Sequence, residues 1–198
     1  MKQPFGVILA GGLATRMGGG DKALLTLGGQ TLLSRVAERL EPQVAALALN
    51  ANGDPGRFST AGLPVLPDSV PGHPGPLAGI LAGLDWAAEQ GGDTVVSVAC
   101  DTPFFPCDLV PQLLLAAEGM PAPLALAASG GRTHPVFGLW PVALRDALRA
   151  ALLRGERRVR GFAEAHGGRL AAFPVGELDP FFNINSPADL AAAETVLA

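Results

Sequence analysis

Short apolar runs of strand length alternate along this chain with segments whose apolar residues recur at helical spacing. Residues 5–10 (FGVILA), 44–50 (VAALALN), 63–66, 94–99 (TVVSVA), 124–128, 136–140 and 170–175 predict strands. Between them, residues 31–40 (TLLSRVAERL) place Leu32, Leu33, Val36 and Leu40 on one helical face, with Thr31 positioned to cap it. Further helices are expected over 77–88 and 109–117, and from Pro141, which suits a first helical turn, to about residue 153. Within 77–88, Ala78, Gly79, Ala82 and Gly83 leave room for close packing on a sheet. Ser186 caps a final helix, with Pro187 at its first position and Asp189 in its first turn.

This alternation predicts an α/β domain around a largely parallel sheet. Sheets of that kind take ligands beyond the carboxyl ends of their strands. Three polar positions fall at such ends: Gly11, Asn50 and Asp101. Their coincidence points to one pocket. The Pro/Gly-rich stretch 64–76 reads as a loop of that pocket rather than a linker. No internal repeat is present, so residues 1–198 are expected to form a single domain.

Charge narrows the partners. The net charge is -4 with 48% hydrophobic residues, and no Lys/Arg run marks a nucleic-acid face or a membrane-binding helix. The densest basic stretch, 154–160, contains Glu156 and reads as a solvated helix end. Cys100 and Cys107 are too far apart for a redox CxxC pair and form no disulfide framework. Cys100 reads as a small buried residue rather than a nucleophile. The first apolar run is too short to span a membrane and leads straight into glycines, unlike a signal peptide. A cytoplasmic monomer without nucleic-acid or membrane partners is the resulting expectation.

Three groups of residues carry candidate chemistry. The loop from Gly11 to Lys22 holds five glycines, whose backbone N–H groups can approach an anion closely, with Arg16 and Lys22 as cations. It suits a polyphosphate, yet it is neither a Walker loop nor a dinucleotide fingerprint. A glycine-rich loop carrying two solvated cations is the plainer alternative. Asp101 leaves a buried strand, where one carboxylate beside substrate phosphates can hold Mg²⁺; a turn before Pro103 would use the same residue. Asn50 and Asp68 each end a strand or open a loop. A carboxylate can accept from both N1–H and the 2-amino group of guanine, a donor pair that cytosine lacks. Turn chemistry is the other reading of both.

In order, Leu9-Ala10-Gly11-Gly12, Arg16-Met17-Gly18-Gly19, Asp21-Lys22, Asn50, Asp68 and Gly75-Pro76-Leu77-Ala78-Gly79 are followed by three more matching groups. These are Cys100-Asp101-Thr102-Pro103-Phe104, His134-Pro135-Val136-Phe137 and Asn183-Ile184-Asn185-Ser186-Pro187-Ala188-Asp189-Leu190. The set resembles the molybdenum cofactor guanylyltransferases over nearly the whole chain. The resemblance implies a Rossmann-like three-layer fold of the nucleotide-diphospho-sugar transferase type. It implies transfer of GMP from GTP to the phosphate of molybdopterin, releasing pyrophosphate. By carry-over, Leu9, Ala10, Gly11 and Gly12 would meet the nucleotide, Lys22 its phosphates, and Asn50 and Asp68 the guanosine. Asp101 would bind Mg²⁺, with Mn²⁺ as a substitute, and Asn183 and Asn185 would face the acceptor, with His134 as a weaker candidate. His73 and His166 match nothing in the pattern. Two departures stand out: Ala14-Thr15 replaces a frequent serine, and Ser186 and Ala188 replace Thr and Glu.

The mechanism implied is in-line attack by the acceptor phosphate on the α-phosphorus, with Arg16, Lys22 and Asp101 as the catalytic group. An ionised phosphate needs no general base. A cytidylyltransferase on molybdopterin or another phosphorylated small molecule is the nearest alternative, with Asp68 as the discriminating residue. A non-catalytic nucleotide-binding chaperone is the alternative from another class. With the guanylyltransferase reading, GTP and molybdopterin are the expected small-molecule partners, and transient contacts with molybdenum-insertion proteins or recipient molybdoenzymes are expected.

Overall fold

The computed structural model describes residues 2–11, 21–70, 72 and 75–197. Strand β1 (Phe5–Leu9) lies inside a seven-stranded sheet. A separate hairpin, β2 (Thr26–Leu27) with β3 (Gln30–Thr31), precedes β4 (Leu47–Asn50) and β5 (Val65–Leu66). β4 and β6 (Thr94–Ala99) flank β1 in parallel, and β5 extends the parallel set beyond β4. On the far side of β6, β8 (Arg132–Pro141) runs antiparallel to both β6 and β7 (Ala125–Ser129). β9 (Arg169–Phe173) pairs in parallel with β7, completing the order β5-β4-β1-β6-β8-β7-β9.

The three layers follow from the apolar runs. A central parallel strand is covered on both faces, so successive side chains serve opposite cores. Ile8 and Ala10 join the core beneath α1 (Leu32–Leu40) and α3 (Leu109–Ala116). Val7 and Leu9 join the one beneath α2 (Pro76–Glu89), α4 (Arg145–Leu153) and α5 (Val159–Ala165). The glycines of α2 let it approach the sheet closely. A Cβ on Gly79 would stand 2.2 Å from Asn50 Oδ1, and one on Gly83 2.9 Å from Val7 Cγ1.

Both expected caps are present. Thr31 Oγ1 accepts from Ser34 N at 3.1 Å. Ser186 Oγ accepts from Asp189 N at 3.2 Å at the head of α6 (Pro187–Leu197), and Asp189 Oδ2 accepts in return from Asn185 N at 2.9 Å. Two satisfied N–H groups of this kind fix where a helix starts.

Other expectations need correcting. Pro141 does not open a helix; it ends β8 opposite Thr94, and α4 starts at Arg145 after a short 3₁₀ turn, Val142–Leu144. A strand end tolerates the missing N–H. β8 also begins earlier than the apolar pattern suggests, because Pro135 sits where the β7 register shifts, a place that accepts proline. Residues 154–160 are not a helix end alone: Val159, Phe162 and Ala163 bury one face of α5. β4 starts at Leu47 rather than at residue 44.

Candidate functional site

The carboxyl ends of β1, β4 and β6 and the amino end of β8 open into one cavity of ≈ 500 Å³. Parallel strands put their carboxyl ends on one edge of the sheet. An antiparallel neighbour brings its beginning to that same edge. Gly11, Asn50 and Asp101 therefore line one cavity, as do Leu9, Lys22 and Asp68.

Lys22 and Asp101 form its centre. Lys22 is only 8% exposed, and its Nζ donates to Asp101 Oδ2 at 2.6 Å and to Asn185 Oδ1 at 2.5 Å. An ammonium has three donors, so one remains for a further acceptor. The segment before α6 is pinned to Asp101 by main chain and side chain alike. Ile184 N donates to Asp101 O at 2.9 Å, and the Thr102 hydroxyl donates to Asn183 Oδ1. The residues near positions 22, 101 and 185 are thus one constellation, although up to 163 positions separate them.

The second wall surrounds Asp68. Asn50 Nδ2 donates to Asp68 Oδ1 at 3.0 Å and to Leu66 O at 3.1 Å. Asn52 Nδ2 donates to Asp68 Oδ2 at 2.8 Å, and Asn52 Oδ1 accepts from Asp68 N at 2.9 Å. Each carboxylate oxygen thus accepts one bond from these asparagines. With about four lone-pair sites on a carboxylate, roughly one per oxygen stays open, side by side, as two adjacent N–H donors require. Behind this wall, Ser69 Oγ donates to Asp85 Oδ2 at 2.5 Å on α2, and Arg149 Nη2 of α4 reaches both Asp85 oxygens at 2.7 Å.

The third wall is the start of β8, with Arg132, Thr133, His134 and Phe137, and Asn183 beside it. His134 Nε2 meets Ser129 Oγ at 2.7 Å, and its ring stacks on Phe181 at 4.4 Å between centroids. Burial pushes the His134 pKa below 6.5, with Arg132 acting in the same direction and Asp179 against it. Cys100 lines the cavity floor, but burial and then the Asp101 charge push its thiol up to about 12. It is therefore a protonated packing residue rather than a nucleophile.

Among the described residues, no group of three or more His, Cys, Asp or Glu side chains could hold a metal by itself. One carboxylate at a cavity still suits Mg²⁺, which takes most of its ligands from water and substrate phosphates. Asp101 Oδ1, the oxygen that Lys22 does not touch, lies 3.2 Å from the Thr102 hydroxyl and keeps lone-pair capacity for that ligand. Ala10 is buried, with its N–H donated to Asn50 O at 2.9 Å, and Leu9 O accepts from Cys100 N at 3.1 Å. Of the expected main-chain contacts, Gly11 keeps its backbone groups open among the described residues. Gly12 and Arg16, with most of the glycine-rich loop, lie outside the described residues, as does His73. His166 does not line this cavity; its Nδ1 donates to Phe162 O at 2.8 Å at the end of α5.

Sequence reasoning missed Asn52, Arg132, Ser129 and Asp179. Asn52 was findable, since it follows Asn50 by two residues and shares its strand parity. Gly130-Gly131 is a local hairpin signal that pairs Ser129 with Arg132, but nothing local marks Asp179, which reaches Ser129 from 50 positions away.

No helix among the described residues is long and apolar enough to cross a membrane. A family model, the MobA-like NTP transferase domain, matches residues 6–170. A molybdenum cofactor guanylyltransferase of Cereibacter sphaeroides is 57% identical over 98% of this chain and 96% of its own. One from a Bradyrhizobium species is 54% identical over 98% and 92%. Among solved structures, molybdopterin-guanine dinucleotide biosynthesis protein A of Archaeoglobus fulgidus superposes with a TM-score of 0.74 at 24% identity, covering 98% of each chain. A 4-diphosphocytidyl-2C-methyl-D-erythritol synthase of Anaerococcus prevotii superposes with a TM-score of 0.75 at 11% identity, covering 99% of this chain and 96% of its own. The fold is thus shared with a cytidylyl enzyme and does not choose the base.

Proposed function

The chain belongs to the family of MobA-like NTP transferase domains, and from that premise we propose how its cavity works. The protein is an enzyme of molybdenum cofactor synthesis that transfers GMP from GTP to molybdopterin. An oxygen of the acceptor phosphate bonds to the α-phosphorus, the bond from that phosphorus to the β-phosphate oxygen breaks, and pyrophosphate leaves. No proton need be moved, because the nucleophile is already ionised.

Lys22 holds the triphosphate with its third donor while Asp101 and Asn185 fix its position. Arg16, in the glycine-rich loop, adds charge on the same phosphates. Asp101 would hold Mg²⁺, or Mn²⁺ in its place, which would neutralise charge building on the phosphates. Gly11 offers main-chain groups to the nucleotide, and Leu9 offers an apolar side chain. Asp68 recognises guanine through N1–H and the 2-amino group, and Asn50 acts on the base by holding Asp68. Asn183 and Asn185 border the acceptor. The single observation that supports this division most is the double clamp on Asp68, which holds a cavity-lining carboxylate with acceptor capacity left on both oxygens.

The relatives favour neither a cytidylyl enzyme nor a silent chaperone. We read the whole chain as one cytoplasmic domain acting as a monomer, with brief contacts to the proteins that supply or receive the cofactor. Pyrophosphate release from purified protein, molybdopterin and each nucleoside triphosphate tests the base reading. Turnover with GTP and none with CTP is expected; the reverse sinks it.

A further inference from the structure

The strand order divides the cavity into three. The Asp68 wall stands over β4 and β5, the Lys22–Asp101 pair over β1 and β6, and the Arg132–Phe137 wall over β8. With guanine on the first wall and the reacting phosphates at the centre, the body of the acceptor extends along the third. This placement rests on the guanylyl-transfer reading above.

His134 stands on that third wall, and its protonation pattern follows from counting hydrogens. Ser129 is 2% exposed, and its Oγ donates to Asp179 Oδ1 at 2.8 Å. Asp179 Oδ1 also accepts from Phe181 N at 2.9 Å. A carboxylate only accepts, so the single hydroxyl proton of Ser129 is committed to Asp179. What Ser129 shows His134 is a lone pair, and Nε2, 2.7 Å away, must carry the ring proton. In a neutral imidazole the other nitrogen is then a bare acceptor. Nδ1 has no partner among the described residues, while the ring lines the cavity and Phe181, stacked at an interplanar angle of 19°, fixes its plane.

We infer that His134 is a binding residue for the acceptor, taking a hydrogen bond at Nδ1 from a ring N–H of the pterin, and that Ser129 and Asp179 are positioning residues that set its tautomer. Burial supports the same assignment by favouring the neutral ring. The short segment that carries Asp179 and Phe181 continues to Asn183 and Asn185, which bond Thr102 and Lys22. One strap thus sets the pterin contact and the reacting centre in a common frame.

The test compares His134→Asn, His134→Gln and Ser129→Ala by steady-state kinetics with GTP and molybdopterin, alongside thermal unfolding. Asn keeps a polar atom near the place of Nδ1, whereas Gln keeps one near Nε2. Losing one neutral hydrogen bond predicts about a tenfold rise in KM for molybdopterin for His134→Gln and Ser129→Ala. KM for GTP should stay unchanged, and His134→Asn should recover most of the loss. Equal KM values in the Asn and Gln variants overturn the inference, as does a parallel rise in KM for GTP that follows a fall in Tm. If the wild type releases no pyrophosphate from GTP, the guanylyl reading fails and takes this inference with it. If the wild type turns over and all three variants match it, the inference fails alone.

Discussion

The β4–β1–β6 half of the cavity and the β8–β7 half solve the same problem in different ways. In the first, parallel strands deliver Gly11, Asn50 and Asp101 to the cavity simply by ending there, and α2 seals the sheet behind them. In the second, an antiparallel strand delivers its beginning, and the polar groups are completed by Asp179 and Asn183 from a strap far along the chain. In the first half helix and sheet touch through glycine, and Asn50 and Asn52 hold Asp68; in the second, Ser129, His134 and Asp179 form a chain of side-chain hydrogen bonds. Damage to the first should therefore appear as loss of nucleotide binding or of chemistry. Damage to the second should appear in the acceptor.

The largest effect falls where the halves meet. Asp101→Ala removes the carboxylate that pairs with Lys22 and the proposed metal ligand together. Turnover should fall by about 10³-fold or more, since both charge placement and metal positioning go. Single-turnover pyrophosphate release at saturating GTP and Mg²⁺ measures this. Substantial Mg²⁺-dependent activity in the variant would place the metal elsewhere and break the partition of the cavity at its centre.

Next comes the glycine contact. Gly79→Ala pushes a methyl into Asn50 Oδ1, and Asn50 holds Asp68, so the base site must shift. KM for GTP should rise about tenfold while KM for molybdopterin holds, with a stability cost of about 1–3 kcal/mol for the overpacking. Gly83→Ala meets Val7 one turn along α2, where no cavity residue is displaced. It should cost similar stability with little change in either KM. Kinetics and denaturant unfolding on both variants separate the two; equal KM values for GTP would show that α2 seals the sheet without setting the base site.

The same contrast explains what could be read from the sequence. Residues 5–10 and 94–99 are apolar runs buried on both faces, so their pattern alone located them, and site residues follow directly after them. Gly79 and Gly83 announced a helix lying close on a sheet, although not that Asn50 was the neighbour. The start of β8 was hidden because Thr133, His134 and Pro135 do not resemble a strand, and a bulge is what admits the proline. Ser129 and Asp179 lie 50 positions apart and meet only after the sheet forms, so no local spacing could pair them. Pro141 misled because it fits a first helical turn and a strand end equally well.

A smaller effect is expected from Asn52→Ala. It removes one hydrogen bond to Asp68 Oδ2 and one to Asp68 N, but Asn50 and Leu66 keep the loop in place. KM for GTP should rise roughly threefold to tenfold. The preference for GTP over ATP should fall with it, because a carboxylate held by Asn50 alone is less well oriented. An unchanged preference in competition assays would mean that Asp68 does not read the base.

The smallest effect is on stability against pH, and it tests the second half without any substrate. The folded His134 pKa lies below its ordinary 6.5, chiefly through burial, so the unfolded chain binds the proton more readily. The neutral-ring contribution is complete above that ordinary value and is lost as pH falls from 6.5 through the folded value. Asp189 is also lowered, first by the Ser186 hydroxyl and then by Asn185 N, so its contribution is complete above 3.8 and disappears as pH falls through its folded value. Two windows should therefore separate in Tm measured against pH. His134→Gln should flatten the upper window and leave the lower one intact. Asp189→Asn should reduce the lower one, which Glu156, lowered by the Arg158 and Arg157 N–H groups, shares, and leave the upper one intact. If the slope below pH 6.5 survives in His134→Gln, the proton taken up on unfolding belongs to another group, and the neutral tautomer loses its support.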